Sequence, residues 1–575
     1  MSLRPLILRI AVPSPLSRTF DYLPPRGCNI ATLVPGVRLK VPFGRRQTIG
    51  VLQTIADSTD IDARRLKHAS AVIDTEPVMP PDMHNLISWA IGYYHHPPGE
   101  VVFTALPALL RQGQSPDSVN PKVWRLTPEG MAVDPNTLMR APRQAAIVNL
   151  LRHHSDGLTA AGIDALDLAF DWQAALRALG DKGWVATEQA VATPTPPAHP
   201  PKPGPVLNTE QRNAVERVES SMQEFGVFLL DGVTGSGKTE VYLNVLERVI
   251  ATGGQALVLV PEIGLTPQLV ERFEARLGCS LAQYHSGLTD RERLRAWLLA
   301  KTGKVPIVIG TRSAVFVPLQ RPALFIIDEE HDLSFKQQDG FRYNARDLAV
   351  VRARNAGIPV MLGSATPSLE TLVNIDQHRY QRLTLPERTG SAGHPALRLL
   401  DMRRQPLHEG LSDALLRAIR QHLDDGNQVL LFLNRRGYAP TLLCHDCGWI
   451  SKCDRCDAHL TFHQQQRRLR CHHCGAEQPV ATQCPACASK DLLPVGQGTE
   501  RIEKVLQEYF PDIGIVRIDR DTTRHKGAME EMLASAVDGS SRLLIGTQML
   551  AKGASPYITV PIPSYSTVMS AVPWI

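Results

Sequence analysis

A glycine-rich segment near the middle of the chain has the residue types and spacing of a phosphate-binding loop. It reads Gly232-Val233-Thr234-Gly235-Ser236-Gly237-Lys238-Thr239, after an apolar stretch and before the paired apolar positions of a helix. Glycines let backbone N–H groups surround phosphates at a helix N-terminus. We expect Lys238 to place its charge on the terminal phosphates and the Thr239 hydroxyl to bind Mg²⁺. The segment therefore predicts a site for ATP and Mg²⁺.

Acidic residues follow a second apolar stretch, 324–327, and complete this predicted chemistry. Asp328 and Glu329 stand where a buried strand would end, which is where ligands bind in parallel sheets. We expect Asp328 to hold Mg²⁺ through water and Glu329 to orient or deprotonate the attacking water. Together with Lys238 and Thr239, these carboxylates predict a catalytic site for ATP hydrolysis.

Eight of the ten cysteines fall within 444–487 as four C-x₂-C pairs: Cys444/Cys447, Cys453/Cys456, Cys471/Cys474 and Cys484/Cys487. Two such pairs close one tetrahedral zinc site, so eight thiolates predict two structural Zn²⁺ ions. Several histidines in the segment could replace a thiolate, but a complete set of eight makes them unnecessary. The spacing alone leaves open which pairs share a metal.

The elements that must position these residues follow a regular pattern. Continuous apolar strands alternate with amphipathic helices from about residue 207 onward, which predicts parallel sheets covered on both faces. The cysteine segment interrupts the second such set. Residues 1–110 instead show short β-branched runs, and helices with a brief strand over 115–192 suit a winged helix. Proline makes up seven of the fourteen residues of 193–206, which predicts an extended linker.

Composition leaves the partner class open. A formal net charge of +5 permits contact with a polyanion without requiring it. The N-terminus lacks the features of a secretory signal, and no long uncharged apolar run predicts a membrane span. We therefore expect a cytoplasmic protein with reduced thiols and no membrane partner.

Several motifs, taken in order, resemble those of superfamily 2 helicases. These are GSGKT at 235–239, DEEH at 328–331, GSATP at 363–367 and GTQMLAKG at 546–553. The resemblance implies that Gln211 recognises adenine and that Ser364 and Thr366 couple hydrolysis to DNA movement. It also implies strand-tracking roles for 258–268 and 310–316 and the opening of a second motor lobe at 432–436.

The cysteine segment and the N-terminus are similar to one family, the bacterial primosomal replication-restart DNA helicases (the primosomal protein N′ family). The resemblance implies that the outer cysteine pairs share one zinc and the inner pairs the other. It implies a pocket for the 3′ end of a nascent DNA strand formed by Phe20, Asp21, Tyr22, Gly44 and Lys67. Four basic residues nearby are expected to add charge that reads phosphates: Arg38, Lys40, Arg45 and Arg46.

Aromatic and cationic residues are interleaved in the segment 331–347. The aromatic members are Phe335, Phe341 and Tyr343. Bases stack on aromatic rings while cations pair with phosphates, so this segment predicts contact with single-stranded DNA. A packed loop is the alternative interpretation.

The resulting prediction is a multidomain α/β protein with a β-rich DNA-end-binding domain, a winged-helix domain and two RecA-like parallel-sheet motor lobes. Lobe 1 is expected over 207–390. Lobe 2 is expected, incomplete, over 391–442 and 489–553, with the two-zinc insertion at 443–488. Residues 554–575 lack Lys, Arg, Asp and Glu and depart from the family pattern. We expect a truncation or frameshift after Gly553, with ATP binding but impaired turnover, because an arginine motif is missing.

The leading functional hypothesis is an ATP-dependent 3′ to 5′ DNA helicase. The family resemblance implies that it recognises stalled or abandoned forks and starts primosome assembly. Its implied partners are forked and single-stranded DNA, primosome proteins and single-strand-binding protein. One alternative is a non-hydrolysing platform that binds forks and recruits primosome proteins. A general RNA helicase is a third, which the cysteine segment and the N-terminal domain disfavour.

Overall fold

The computed structural model places the chain in two compact units, Met1–Gly390 and Ser391–Ile575. The described residues are 6–62, 64–120, 122–134, 138–189, 200–261, 265–389, 398–401, 405–432, 441–456, 458–463, 468–495, 499–519, 522, 528–546 and 567–570. Within these ranges, no helix combines the length and apolar character needed to cross a bilayer.

The first unit begins with an antiparallel sheet in the order β2-β1-β4-β3-β5. Its strands are β1 Ile7–Ala11, β2 Phe20–Tyr22, β3 Arg38–Phe43, β4 Arg46–Ala56 and β5 Ala71–Val72. Three helices follow: α1 Pro81–Tyr94, α2 Pro98–Thr104 and α3 Ala108–Arg111. The sheet has its own apolar core, whereas the helices share one continuous apolar cluster with the parallel-sheet lobe that comes later.

The described residues of 122–189 form a small α/β module with a three-stranded antiparallel sheet, and its assignment as a winged helix stays a prediction. Its elements are β6 Lys122–Leu126, α4 Pro128–Ala132, α5 Pro142–His153, β7 Leu158–Thr159, α6 Ala160–Asp164, α7 Trp172–Asp181 and β8 Val185–Gln189. The strands are ordered β7-β6-β8 around a separate core. Of the predicted linker, 193–199 lies outside the described residues, and 200–206 has no helix or strand.

The lobe that carries the phosphate loop is a seven-stranded parallel sheet in the order β11-β12-β10-β13-β14-β9-β15. In chain order its elements are α8 Thr209–Glu219, β9 Val227–Gly232, α9 Lys238–Ala251, β10 Gln255–Leu259, α10 Pro267–Leu277, β11 Leu281–Tyr284, α11 Asp290–Lys301, β12 Ile307–Gly310, β13 Pro322–Ile327, α12 Ala345–Ala356, β14 Val360–Ser364, α13 Leu369–Asp376 and β15 Gln381–Leu385. The predicted buried parallel strands are confirmed. The edge strands β11 and β15 were not predicted.

The second unit contains a four-stranded parallel sheet in the order β24-β25-β18-β26. The elements before the insertion are β16 Leu407–His408, β17 Leu411–Ser412, α14 Asp413–Asp424 and β18 Val429–Phe432, and those after it are α15 Thr499–Tyr509, β24 Ile515–Ile518, α16 Ala528–Val537, β25 Leu543–Gly546 and β26 Thr567–Ser570. The cysteine insertion adds β19 Thr441–Cys444, β20 Thr461–His463, β21 Arg468–Arg470, β22 Glu477–Pro479 and β23 Leu492–Val495.

Parts of three predicted motifs and most of the divergent tail lie outside the described residues. These parts are 262–264, 433–436, 547–553, 554–566 and 571–575. The strand at 567–570 belongs to the tail and pairs in parallel with β18. The truncation and the impaired turnover stay predictions.

Candidate active site, zinc centres and DNA-end site

The phosphate loop connects β9 to α9 through two glycines in the left-handed backbone region. Gly235 and Gly237 have φ of 81° and 80°, a conformation that costs glycine little. Helix α9 then begins at Lys238, so the N–H groups of its first turn face the loop. The Ser236 hydroxyl is buried and has no hydrogen-bond partner among the described residues. A glycine cradle with an unpartnered donor at a helix N-terminus fits a bound phosphate chain.

Gln211 lies against the phosphate loop. Asn208 and Gln211 form a reciprocal capping box at the start of α8, which fixes the backbone of this helix end. The Gln211 side chain is buried, and its Nε2 donates to the Ser236 carbonyl oxygen at 2.8 Å. A Cβ on Gly237 would come within 2.4 Å of that nitrogen, so glycine permits the contact. The predicted adenine-recognising residue is therefore attached to the loop, while its recognition of adenine stays a prediction.

Lys238, Asp328 and Glu329 lie close enough to influence one another electrostatically. Burial at the end of β13 raises the pKa of Asp328 to about 6, and the neighbouring Glu329 adds to the rise, whereas Lys238 opposes it. Burial also raises the pKa of Glu329, again against the charge of Lys238. The Lys238 ammonium donates to the Gly232 carbonyl oxygen at 2.9 Å. Clustered carboxylates beside a lysine and a phosphate loop are suited to hold a divalent cation and a nucleotide.

Tyr242 and Gly363 also belong to this site, and neither was predicted as a site residue. The Tyr242 hydroxyl donates to Asp328 Oδ1 at 3.0 Å and helps to orient that carboxylate. A Cβ on Gly363 would lie 1.5 Å from the same hydroxyl, so only glycine leaves room for it. The sequence contained a clue to each residue. Gly363 is the first residue of the GSATP motif, and Tyr242 lies one helical turn after Lys238.

His331 joins the acidic strand end to the GSATP segment. Its Nδ1 lies 2.8 Å from Ser364 Oγ and 3.6 Å from Glu329 Oε2. Its Nε2 lies 3.4 Å from Thr366 Oγ1, and the Thr366 backbone N–H donates to Ser364 Oγ at 3.0 Å. The His331 imidazole therefore lies within reach of Ser364, Thr366 and the Glu329 carboxylate. The coupling role of the two hydroxyls stays a prediction.

Glu330 is buried and fully engaged rather than available for catalysis. It accepts hydrogen bonds from Arg346 Nη1 at 2.9 Å, from the Ser368 backbone N–H at 2.7 Å and from Thr371 Oγ1 at 3.0 Å. Its own N–H donates to the Gly363 carbonyl oxygen at 3.0 Å. A buried carboxylate paired this way fixes the strand end with respect to α12 and α13.

The three aromatic rings predicted to stack on DNA bases lie in the interior of the first unit. Phe335, Phe341 and Tyr343 are 1%, 3% and 2% exposed. Phe341 packs against Tyr343 at 5.1 Å between ring centroids, and Tyr343 packs against Phe316 at 5.0 Å. The described arrangement therefore matches the alternative of a packed loop. Base stacking stays a prediction that requires this loop to change conformation.

The eight clustered cysteines form two groups of four. Cys444, Cys447, Cys484 and Cys487 make one group, and Cys453, Cys456, Cys471 and Cys474 make the other, with all sulfur atoms in a group within 4.8 Å of one another. The shortest sulfur–sulfur distances are 3.5–3.6 Å, far too long for a disulfide. Tetrahedral zinc with bonds of about 2.3 Å places its sulfurs about 3.8 Å apart, so both groups fit Zn²⁺. The outer pairs meet and the inner pairs meet, as the family resemblance implied.

The residues predicted to bind a DNA 3′ end gather at one part of the N-terminal sheet. Phe20, Asp21 and Tyr22 form β2, and the Leu23 N–H donates to the Lys67 carbonyl oxygen at 2.9 Å. The Phe20 ring meets the Phe43 ring edge-on at 5.0 Å, and Gly44 follows Phe43 in an exposed turn with φ of 61°. Asp21 accepts from Thr59 Oγ1 at 2.6 Å. Asp21 lies on the opposite face of β2 from the two rings, 3.9 Å from Arg9, whereas the Tyr22 ring is 5% exposed and belongs to the sheet core.

One basic residue expected to read phosphates has a different role. Arg38 is 0% exposed, and its guanidinium pairs with Asp74 at 2.6 Å and donates to the Leu110 carbonyl oxygen at 2.6 Å. That prediction was wrong because Arg38 points to the covered face of β3, where Asp74 compensates its charge. Lys40, Arg45 and Arg46 are exposed, and they keep the predicted role as a hypothesis.

The phosphate loop, the acid-bearing parallel strand and the paired cysteine groups define an ATP-dependent helicase with zinc-binding cysteine clusters. Family models agree along the chain: 3′DNA-binding domain over 9–107, DEAD/DEAH box helicase over 208–375 and PriA DNA helicase Cys-rich region over 453–479.

Relatives named replication restart protein PriA match nearly the whole chain. The Haemophilus influenzae protein is 42% identical over 559 residues, which cover 95% of this chain and 74% of that protein. The Bacillus subtilis protein is 34% identical, with 95% and 76% covered. The chain belongs to the PriA family of replication restart proteins. It is an ATP-dependent DNA helicase of replication restart, as the sequence motifs predicted.

Proposed function

We propose that this helicase recognises the 3′ end of a nascent strand at a stalled or abandoned fork, moves 3′ to 5′ and starts primosome assembly. The carrying observation is that one compact unit contains both the Phe20–Tyr22 site and the Lys238–Asp328 site. The two proposed sites therefore lie in one folded body. We also propose that it works in the bacterial cytoplasm, where the chromosome lies.

In the proposed reaction, Mg²⁺ supplies the charge that neutralises the phosphate oxygens of ATP. Asp328 and the Thr239 hydroxyl would hold the metal, and the Lys238 ammonium would pair with the terminal phosphates. Glu329 orients or deprotonates the attacking water, since its carboxylate lies beside Lys238 and within 3.6 Å of His331. A movement of the Glu329 carboxylate would displace the His331 imidazole. The imidazole contacts Ser364 and Thr366, the proposed coupling residues, and would displace them in turn.

The zinc-type insertion is the proposed contact for primosome proteins and single-strand-binding protein. Two four-cysteine groups with no open coordination position support a structural role for the metal rather than a catalytic one. Several side chains of the insertion are exposed and polar, among them Arg468, Arg470 and Lys490. Such a surface suits acidic or polar partner segments.

Binding measurements on matched forks test the proposal. Fluorescence anisotropy would compare forks that present a 3′-OH, a 3′-phosphate or no strand end at the junction. We expect the 3′-OH fork to bind about tenfold more tightly than the blocked fork, and Asp21→Ala to remove this difference. Thr19→Ala, which alters a neighbouring residue outside the predicted pocket, is the control. Equal affinity of the wild-type protein for all three forks would contradict the proposal.

A further inference from the structure

Tyr94, the last residue of α1, contacts the loop that follows the acidic strand end. The Asn344 backbone N–H donates to the Tyr94 hydroxyl at 3.1 Å. The Phe341 ring meets the Tyr94 ring edge-on at 5.5 Å between centroids, and Lys336 Nζ lies 5.4 Å from the centre of the same ring. Tyr94 lies in the segment that matches the 3′DNA-binding domain. Its side chain therefore contacts three residues of a loop in the helicase lobe, Lys336, Phe341 and Asn344.

The loop is tied at both ends to the nucleotide site. It begins after Glu330, which directly follows Asp328 and Glu329, and it ends at Arg346 in the first turn of α12. Arg346 Nη1 donates to Glu330 Oε2 at 2.9 Å, so the start and the end of the loop are joined by a buried ion pair. A displacement of the loop at Asn344 would therefore shift the backbone at Glu330, and with it the two proposed catalytic acids, Asp328 and Glu329.

The helix α1 connects to the N-terminal sheet through α2, which packs against both α1 and β1. Leu86, Ile87 and Ala90 are completely buried and belong to the same apolar cluster as Ala11 and Val51 of the N-terminal sheet. Burial raises the pKa of Tyr94 to about 12, so its hydroxyl stays protonated and neutral at physiological pH. A displacement of the N-terminal sheet can therefore reach the loop before α12 through this helix, and the Tyr94 hydroxyl stays neutral throughout.

We propose that Tyr94 is a positioning residue that couples occupancy of the DNA-end site to occupancy of the nucleotide site. This inference rests on the proposed function, because it requires a DNA end to bind near Phe20–Tyr22. Binding coupling is reciprocal, so a nucleotide that moves the loop also changes the affinity of the distant DNA site. Tyr94 touches neither ligand in this account. It transmits a change through Asn344 and Phe341.

The test measures coupling without hydrolysis. Anisotropy would give the Kd of a 3′-OH fork with and without a non-hydrolysable ATP analogue and Mg²⁺. We expect these two values to differ by about fivefold or more in the wild-type protein. Tyr94→Phe removes the acceptor for the Asn344 N–H but keeps the ring, and it should lower the ratio by about twofold or more, with the nucleotide-free Kd within about twofold of wild type. Tyr93→Phe is the matched control, because Tyr93 is 60% exposed and should keep the wild-type ratio.

The outcomes separate this inference from the proposed function. A wild-type ratio in the Tyr94→Phe protein would overturn the role of Tyr94. A ratio of one in the wild-type protein, with the 3′-OH preference intact, would overturn the coupling alone. If the wild-type protein shows no preference for the 3′-OH fork over the blocked fork, both the proposed function and the coupling are wrong. A thermal melt of each variant shows whether an altered ratio comes from unfolding.

Discussion

The Asp328 carboxylate has an environment that disfavours its charged form. It is withdrawn from water at the end of β13 and lies next to a second carboxylate. A bound divalent cation would reverse this cost, because opposite charge favours the ionised form. A bound divalent cation would therefore stabilise this strand end.

This arrangement predicts a pH-dependent stability. The pKa of Asp328 is about 6 in the folded protein, above its ordinary value near 4 in an unfolded chain. The folded state then holds the proton more tightly, so stability falls as pH rises from 4 through 6. Without Mg²⁺ or nucleotide, Asp328→Asn should raise the free energy of unfolding by about 1 to 3 kcal/mol at pH 8.

The measurement is urea unfolding of the wild-type protein and the Asp328→Asn variant at several pH values. The stability difference should shrink as the pH is lowered from 8 to 5. Asp339→Asn, at an exposed loop position, is the control and should leave stability within about 0.5 kcal/mol. A pH-independent difference, or a less stable Asp328→Asn protein at pH 8, would contradict this interpretation.

The position of a single residue was predictable from the sequence where a motif determines both the local backbone conformation and the residue type. The placement of Lys238 follows from this, because a glycine loop before a helix leaves one geometry. Tyr242 was missed because its partner Asp328 lies 86 positions away, and only the sheet order brings them together. Arg38 was misinterpreted for a similar reason, since the partner that allows its burial, Asp74, is also distant in sequence.

At the scale of elements, the central strands were predictable and the edges were not. Strands β10, β13, β14 and β9 are buried on both faces and therefore appear as uninterrupted apolar runs. The edge strands β11 and β15 carry half-buried and exposed residues, and nothing in their composition separates them from loops. Edge strands are defined by the neighbour they pair with, which is a tertiary property.

The cysteine insertion yields a prediction about which pairs share a metal. The Cys447→Ser/Cys487→Ser protein alters one group twice and should bind about one Zn²⁺ per chain, while Cys447→Ser/Cys474→Ser alters both groups and should bind about none. The measurement is zinc content by mass spectrometry after gel filtration, with two Zn²⁺ expected for the unaltered chain. Equal zinc content in the two double variants would contradict the grouping.

At the scale of the whole molecule, α1–α3 share an apolar core with the nucleotide-binding lobe. Met83 and Trp297 are both 2% exposed and line one side of this shared core. Arg352 Nη2 lies 3.4 Å from Asp82, and Lys301 donates to the Pro77 carbonyl oxygen at 2.6 Å. The DNA-end domain and this lobe are therefore held together by packing as well as by chain connection.

Because of this shared core, we predict that the DNA-end domain and the nucleotide-binding lobe stay associated when the chain between them is cut. A protease site inserted within 193–199 would be cleaved, and gel filtration should show both fragments eluting together. Met83→Asp places an unpaired charge in the shared core at a cost of several kcal/mol and should release the N-terminal fragment. Separation of the fragments without that substitution would contradict a shared core.

Lys238 and Asp328 are proposed to bind one Mg²⁺–nucleotide complex, and nucleotide affinity measures this directly. The Kd of a fluorescent, non-hydrolysable ATP analogue would be determined with and without Mg²⁺ for the wild-type, Lys238→Ala and Asp328→Asn proteins. We predict that Mg²⁺ tightens binding in the wild-type protein, that Lys238→Ala weakens it by about tenfold or more, and that Asp328→Asn abolishes the effect of Mg²⁺. Wild-type affinity in both variants, with the Mg²⁺ effect intact, would contradict the account.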